Sequence, residues 1–155
     1  MKEKILTGAL AALLTFGGLS TPVAADSQEI LVDDVWARAT IGVSRPAAVY
    51  FTLRNTGGDA VKLIGFETTI AKRAEAHRSK IDANGISTME PAGEILLRPG
   101  NDLVFEPGGL HIMLMGLQEP LVEGDSIQLD LLFDDGGRMP VNVRVRGIAA
   151  RGPRN

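Results

Sequence analysis

Cysteine is absent from the 155 residues. That excludes disulfides, zinc–thiolate and iron–sulfur centres, a thiol nucleophile, and a blue-copper site built on a Cys ligand. It also leaves no thiol to carry a lipid near the N-terminus. Histidine is scarce, at two residues, and aromatics make up only 5 %. Positive charge is not in excess: Lys and Arg number 16 against 19 Asp and Glu, for a net charge of -3. Setting aside Lys2-Glu3-Lys4 takes the remainder to -4. Such a chain has no broad electrostatic footprint for nucleic acid or an anionic membrane. No segment shows a convincing helical period, and there is no internal repeat or low-complexity tract. Phosphate-cradling loops, a G-x-S-x-G elbow and EF-hand spacing are also missing.

What is present begins with a targeting pattern. Lys2 and Lys4 precede an uncharged apolar run from Ile5 to Leu19, and small residues follow at Val23-Ala24-Ala25. The run falls short of the roughly 20 residues that span a bilayer. Residues 1–25 therefore read as a Sec-type signal peptide cut after Ala25. The mature chain is expected to work in the periplasm, without a membrane span. It is the size of one domain, assigned to residues 26–150. The tail from Ile148 to Asn155 is expected to fray, with residues 151–155 outside the domain.

The mature chain alternates with a period of two. Val49, Phe51 and Leu53 share one face of a strand. So do Ile127, Leu129, Leu131 and Phe133, and so do Val141, Val143 and Val145. Shorter strands are expected at Ile30–Ala37, Val61–Phe66, Ala74–Lys80, Ile86–Glu90, Glu94–Leu97, Asp102–Phe105 and His111–Leu117. Turn signals separate them, among them Asp82-Ala-Asn-Gly, Arg98-Pro-Gly-Asn, Glu106-Pro-Gly-Gly and Asp134-Asp-Gly-Gly. The fold class is all-β, an antiparallel sandwich or Greek-key barrel. Trp36 is read as a core residue in preference to a ligand-stacking one.

Chemistry concentrates in one stretch. His77, Met89, His111, Met113 and Met115 are separated by eleven, twenty-one, one and one residues. On a strand His111 and Met113 project together while Ile112 and Leu114 face the core. Thioethers select Cu(I), and imidazole tolerates copper in either state. In an oxidising compartment thiolates are consumed as disulfides, whereas thioethers are not. Methionine is also a common gap-filler in cores, so composition alone leaves a metal site and a metal-free interaction module both open.

The string Pro107-Gly-Gly-Leu-His111-Ile-Met113-Leu-Met-Gly-Leu117, with His77 and Met89 upstream, resembles the periplasmic copper chaperones of the PCuAC family. Val35-Trp36-Ala-Arg-Ala-Thr40, Ala47-Ala-Val-Tyr50-Phe51 and Glu123-Gly124-Asp125 match as well, so the likeness spans the mature chain. Two features depart from the family pattern. Arg78 stands where many members carry Met, and the His- and Met-rich tail of some members is missing, which removes the basis for a second, Cu(II)-type site. The resemblance implies a cupredoxin-like β-barrel and a non-catalytic, monomeric protein. It implies one Cu(I) per chain, held by His77, Met89, His111 and Met113. It further implies delivery to the binuclear copper centre of cytochrome c oxidase, alongside a Sco-type thiol protein. Copper sequestration for tolerance would use the same ligands.

Overall fold

The computed structural model describes residues 29–154; the expected signal peptide lies outside them. Ten strands follow one another: β1 (Ile30–Arg38), β2 (Ala47–Asn55), β3 (Val61–Glu67), β4 (Ala71–Ile81), β5 (Ser87–Pro91), β6 (Ile95–Leu97), β7 (Asp102–Phe105), β8 (Leu110–Leu117), β9 (Ser126–Phe133) and β10 (Arg138–Arg146). They match the ten expected strands in order. Pairing runs β4-β8-β7-β2-β1-β10-β9-β3 and closes through β3–β4 into a barrel of eight strands, with β5 added to β4 and β6 to β3. The architecture is cupredoxin-like. Among the described residues no helix is long and apolar enough to cross a membrane.

The core follows from alternation. Val49, Phe51 and Leu53 of β2, Ile112 and Leu114 of β8, Leu129 and Leu131 of β9, and Val143 and Val145 of β10 all point into the barrel and are buried. Phe51 stacks on Phe105 at 4.3 Å between ring centroids. The intervening side chains face outward, and His111 and Met113 lie on that outer surface.

Two pairings depart from a purely antiparallel sheet. β1 runs parallel to β10, and β7 meets β8 in parallel at Phe105 and Leu110. The second has a simple cause. β7 and β8 both run antiparallel to β2, β7 along Phe51–Arg54 and β8 along Ala47–Val49. They behave as one long strand broken by the excursion Glu106-Pro107-Gly108-Gly109. Gly108 takes a φ of 83° there, and Gly109 N–H donates to the Glu106 carbonyl at 3.0 Å.

A second irregularity reorients β1. Its register with β2 shifts between Asp33 and Trp36, and Asp34 has a φ of 53°. This bulge inverts the parity of the strand. Ile30 and Val32 face the core before it, and Val35 and Ala37 face the core after it. Trp36 is thereby turned outward and buried against Tyr50 and Ala150 in a separate cluster. The tryptophan is a buried residue as expected, but not a member of the barrel core. Ala150 is tied down by this packing and by Arg38, whose Nε–H donates to its carbonyl at 2.8 Å. The tail therefore stays packed as far as Ala150 instead of fraying from Ile148.

The bulge is testable. A β-branched residue in the left-handed region is disfavoured by about 1–2 kcal/mol. Asp34→Val is expected to lower stability by that amount and to alter the fluorescence of Trp36, while Asp34→Gly should not destabilise. An unchanged thermal midpoint and unchanged emission in Asp34→Val would contradict this account of how Trp36 is turned outward.

Candidate metal centre

The four sulfur- and imidazole-bearing side chains singled out in the sequence come from three adjacent strands. β4 supplies His77, β5 supplies Met89 and β8 supplies His111 and Met113. The register sets their spacing. His77 lies directly opposite His111, and Glu75 opposite Met113. Met89 pairs with Ser79, one outward position beyond His77. Ala48 of β2 lies opposite Met113 on the other side. Period-two alternation sends Ile112 and Leu114 into the core, so His111 and Met113 are left on the outer face.

His111 is the fixed point of the cluster. Its ring is buried, with 6 % of the residue exposed. Nδ1 lies 3.0 Å from the Gly109 carbonyl. A carbonyl can only accept, so in the neutral ring Nδ1 carries the proton and Nε2 presents a lone pair. Nε2 points at the Met89 sulfur, 3.3 Å away. An imidazole braced through one nitrogen and open at the other is the usual arrangement of a metal-ligating histidine. The brace comes from the break between β7 and β8, which leaves the Gly109 carbonyl beside the ring.

Met89, His111 and Met113 line one shallow depression of about 220 Å³, together with Ser79, Ala48, Tyr50, Arg38, Pro107 and Gly108. Met89 is 53 % exposed, on a strand whose residues are all exposed. His77 stands just beside this depression. Its ring centroid is 6.4 Å from that of His111, with the planes inclined at 35°. With nitrogen–metal bonds of about 2 Å, two imidazoles sharing one ion have centroids roughly 5 to 6.5 Å apart. The observed separation sits at the wide end of that range. His77 Nε2 is buried without a hydrogen-bond partner, and the nearest acid is Glu75 Oε2 at 3.5 Å. An orphaned buried nitrogen is costly, and a bound ion is one way to satisfy it.

Met115 shares the parity of His111 but not its surroundings. β8 stays in regular register with β4 from Leu110 to Met115, and Met115 faces Arg73. Its sulfur lies 3.6 Å from Arg73 Nη2. Gly116, with a φ of 68°, bends the chain only beyond this point. Among the described residues no three His, Asp or Glu side chains converge, so any ion held here would depend on thioether sulfur.

Several participants were not visible as such in the sequence. Gly109 acts through its carbonyl, which no side-chain pattern reveals. Glu75, two residues before His77, could have been found from the same-face rule. Arg38 and Tyr50 reach the depression because of the β1 bulge and the β2 parity. The guanidinium of Arg38 lies 5.7 Å from the Tyr50 ring centroid and 5.8 Å from that of Trp36. Burial pushes the Tyr50 phenol above its ordinary pKa, and the Arg38 charge partly offsets this. The phenol therefore stays neutral at physiological pH.

The chain is a closed cupredoxin-like barrel with imidazole and thioether side chains at a shallow outer depression. Residues 30–145 match the family model "Putative lipoprotein LpqE-like", and the chain belongs to that family. A relative from Leifsonia xyli subsp. xyli, described in the same terms as a lipoprotein, is 32 % identical over 151 residues, covering 92 % of this chain and 89 % of its own. Among solved structures, a copper-bound PCuAC domain from PmoF2 superposes with a TM-score of 0.63 at 21 % identity, over 77 % of this chain and 93 % of that one. The CuI form of DR1885 from Deinococcus radiodurans gives a TM-score of 0.54 at 30 % identity, over 79 % and 83 %. The fold is thus that of PCuAC domains. The family description speaks of a lipoprotein, yet this sequence has no cysteine to which a thioether-linked lipid could attach.

Proposed function

We propose that this protein is a non-catalytic, monomeric copper chaperone that works outside the cytoplasm and binds one Cu(I) per chain. The ligands in this reading are His77, Met89, His111 and Met113. The observation that carries it is His111: its Nδ1 is committed to the Gly109 carbonyl, and its Nε2 faces the Met89 sulfur at 3.3 Å. Two soft or borderline donors converge on one point, a set that suits Cu(I). The copper-bound PCuAC relatives support the same assignment. Export is supported by the lipoprotein description of the family and of the Leifsonia relative. The acceptor in this proposal is the binuclear copper centre of cytochrome c oxidase, reached with or without a Sco-type thiol protein.

The geometry suits release as well as capture. His111 is buried and braced, whereas Met89 sits on the exposed outermost strand β5. An incoming ligand can displace the Met89 sulfur first while His111 still holds the ion. Exchange then proceeds stepwise, without a free ion in solution.

Anaerobic titration with Cu(I) against a chromophoric chelator tests the reading, and pH sharpens it. Imidazole binds a metal only when deprotonated, and free imidazole takes up its proton at about pH 6.5. Thioethers do not compete for protons in this range. Affinity is expected to fall as the solution becomes acidic and to level off on the alkaline side. One equivalent bound with that profile is the expected result. An affinity flat from about pH 7.5 to about pH 5 would remove the histidines from the ligand set.

A further inference from the structure

The net negative charge of the chain hides a strong segregation. In the parallel pairing of β1 and β10, Trp36 lies opposite Arg144 and Arg38 opposite Arg146. Val141, Val143 and Val145 face inward, so Arg144 and Arg146 share the outer face with Trp36 and Arg38. Arg45 projects from the exposed segment between β1 and β2, and Arg151 follows the anchored Ala150. None of these five arginines forms an ion pair with a described carboxylate. The pairs present involve Arg54, Arg73, Arg138, Lys62 and Lys80. Glu123 approaches β10 beside Gly147 but pairs with none of them. The Nε of Arg146 is buried without a partner.

This basic face is continuous with the candidate metal centre. Arg38 and Pro46 line the depression that holds Met89, His111 and Met113. Pro46 and Arg45 also line the neighbouring hollow with Ile41 and Ile148. Ile41 is 83 % exposed, and Val43 and Ile148 are exposed beside it. An apolar centre with a charged surround is how protein–protein interfaces are built.

We propose that this arginine face is the docking surface for the copper-accepting protein, and that the acceptor presents Asp and Glu side chains around its own metal ligands. The inference rests on the copper-chaperone reading above. The surface adjoins the donor atoms, and whatever docks there must bring replacement ligands to the ion. That requirement selects a protein over a lipid surface or a nucleic acid. Unpaired arginines beside the exchange point attract an acidic partner from a distance and raise its encounter rate, with little effect on the copper affinity itself. Arg38, held over Tyr50 and Trp36, carries this charge to the edge of the depression.

The test uses the copper(I)-loaded protein and two synthetic acceptor peptides with identical His and Met ligands, one flanked by glutamates and the other by lysines. Transfer is followed by rapid mixing at low salt. The glutamate peptide is expected to take copper at least about tenfold faster, an advantage that added salt erases. The double variant Arg45→Glu/Arg144→Glu, both exposed positions outside the donor set, should bind copper as tightly as wild type but lose the preference. Equal rates for the two peptides with wild-type protein would overturn the proposal. So would a preference that survives in the double variant. If the equal rates come with wild-type binding to phosphatidylglycerol vesicles that the variant lacks, the face belongs to a membrane surface instead. A wild-type protein that takes up no Cu(I) at all would overturn the chaperone reading itself, which the initial loading step reveals before any transfer is measured.

Discussion

Replacing His111 by alanine should weaken Cu(I) binding by at least a hundredfold, about 2.7 kcal/mol. The variant loses more than one nitrogen. The Gly109 carbonyl keeps the Ser79 N–H at 3.0 Å but loses its imidazole donor, and the Met89 sulfur loses the imidazole lying 3.3 Å away. Because His111 is buried, the substitution also leaves a small cavity and should cost some apo stability. Methionine variants separate the two effects. Met→Leu nearly conserves volume and usually costs less than about 1.5 kcal/mol. Met113→Leu should therefore keep the fold and still lose at least tenfold in affinity, about 1.4 kcal/mol. Met115→Leu should change affinity little, because that sulfur lies against Arg73 and not in the depression. Chelator competition on the three variants checks this, with thermal melts of the apo proteins alongside. Equal losses at Met113 and Met115, or tight binding retained in His111→Ala, would mean that the wrong donors have been assigned.

Much of this arrangement is legible in the amino-acid sequence, and for a physical reason. A strand half-buried in a barrel must alternate, so Val49-Tyr50-Phe51-Thr52-Leu53 and Val141-Asn142-Val143-Arg144-Val145 announce both their structure and their inward faces. The turn excursions at Asp82-Ala-Asn-Gly and Glu106-Pro-Gly-Gly then mark where strands end. The placement of His111 and Met113 on one face follows from the same parity. Three features escape such a reading because they are relations between strands. The bulge at Asp34 inverts the faces of β1 and carries Trp36 out of the barrel core. The union of β7 and β8 along β2 exists only once both have paired with it. The basic face arises because the chain termini bring β1 beside β10, residues about a hundred positions apart. Net charge is a sum over the whole chain, so it carries no trace of that segregation.

Ile112 makes the sharpest test of how the barrel supports the site. It stands between His111 and Met113, is 0 % exposed, and packs in the barrel core. Ile112→Ala removes no donor atom. It deletes buried methylene and methyl groups and leaves a cavity where the wall of the barrel cannot fully collapse. Such truncations cost about 2–5 kcal/mol, a large part of the stability of a domain this size. Copper should return some of that loss. A ligand that binds only the folded chain stabilises it by about 2.7 kcal/mol at a free concentration one hundred times its Kd. The expected pattern is a steep fall in the apo melting temperature and a large upward shift on adding Cu(I). Met113→Leu should show the reverse, a small apo effect and a copper response cut to about half or less at the same free copper, since a tenfold weaker site returns only about 1.4 kcal/mol. Calorimetry of both variants with and without the ion decides the matter. A cost below about 1 kcal/mol for Ile112→Ala would show that the side chain is not buried in a packed core. The assignment of His111 and Met113 to the outer face would fall with it, since alternation along β8 fixes all three together.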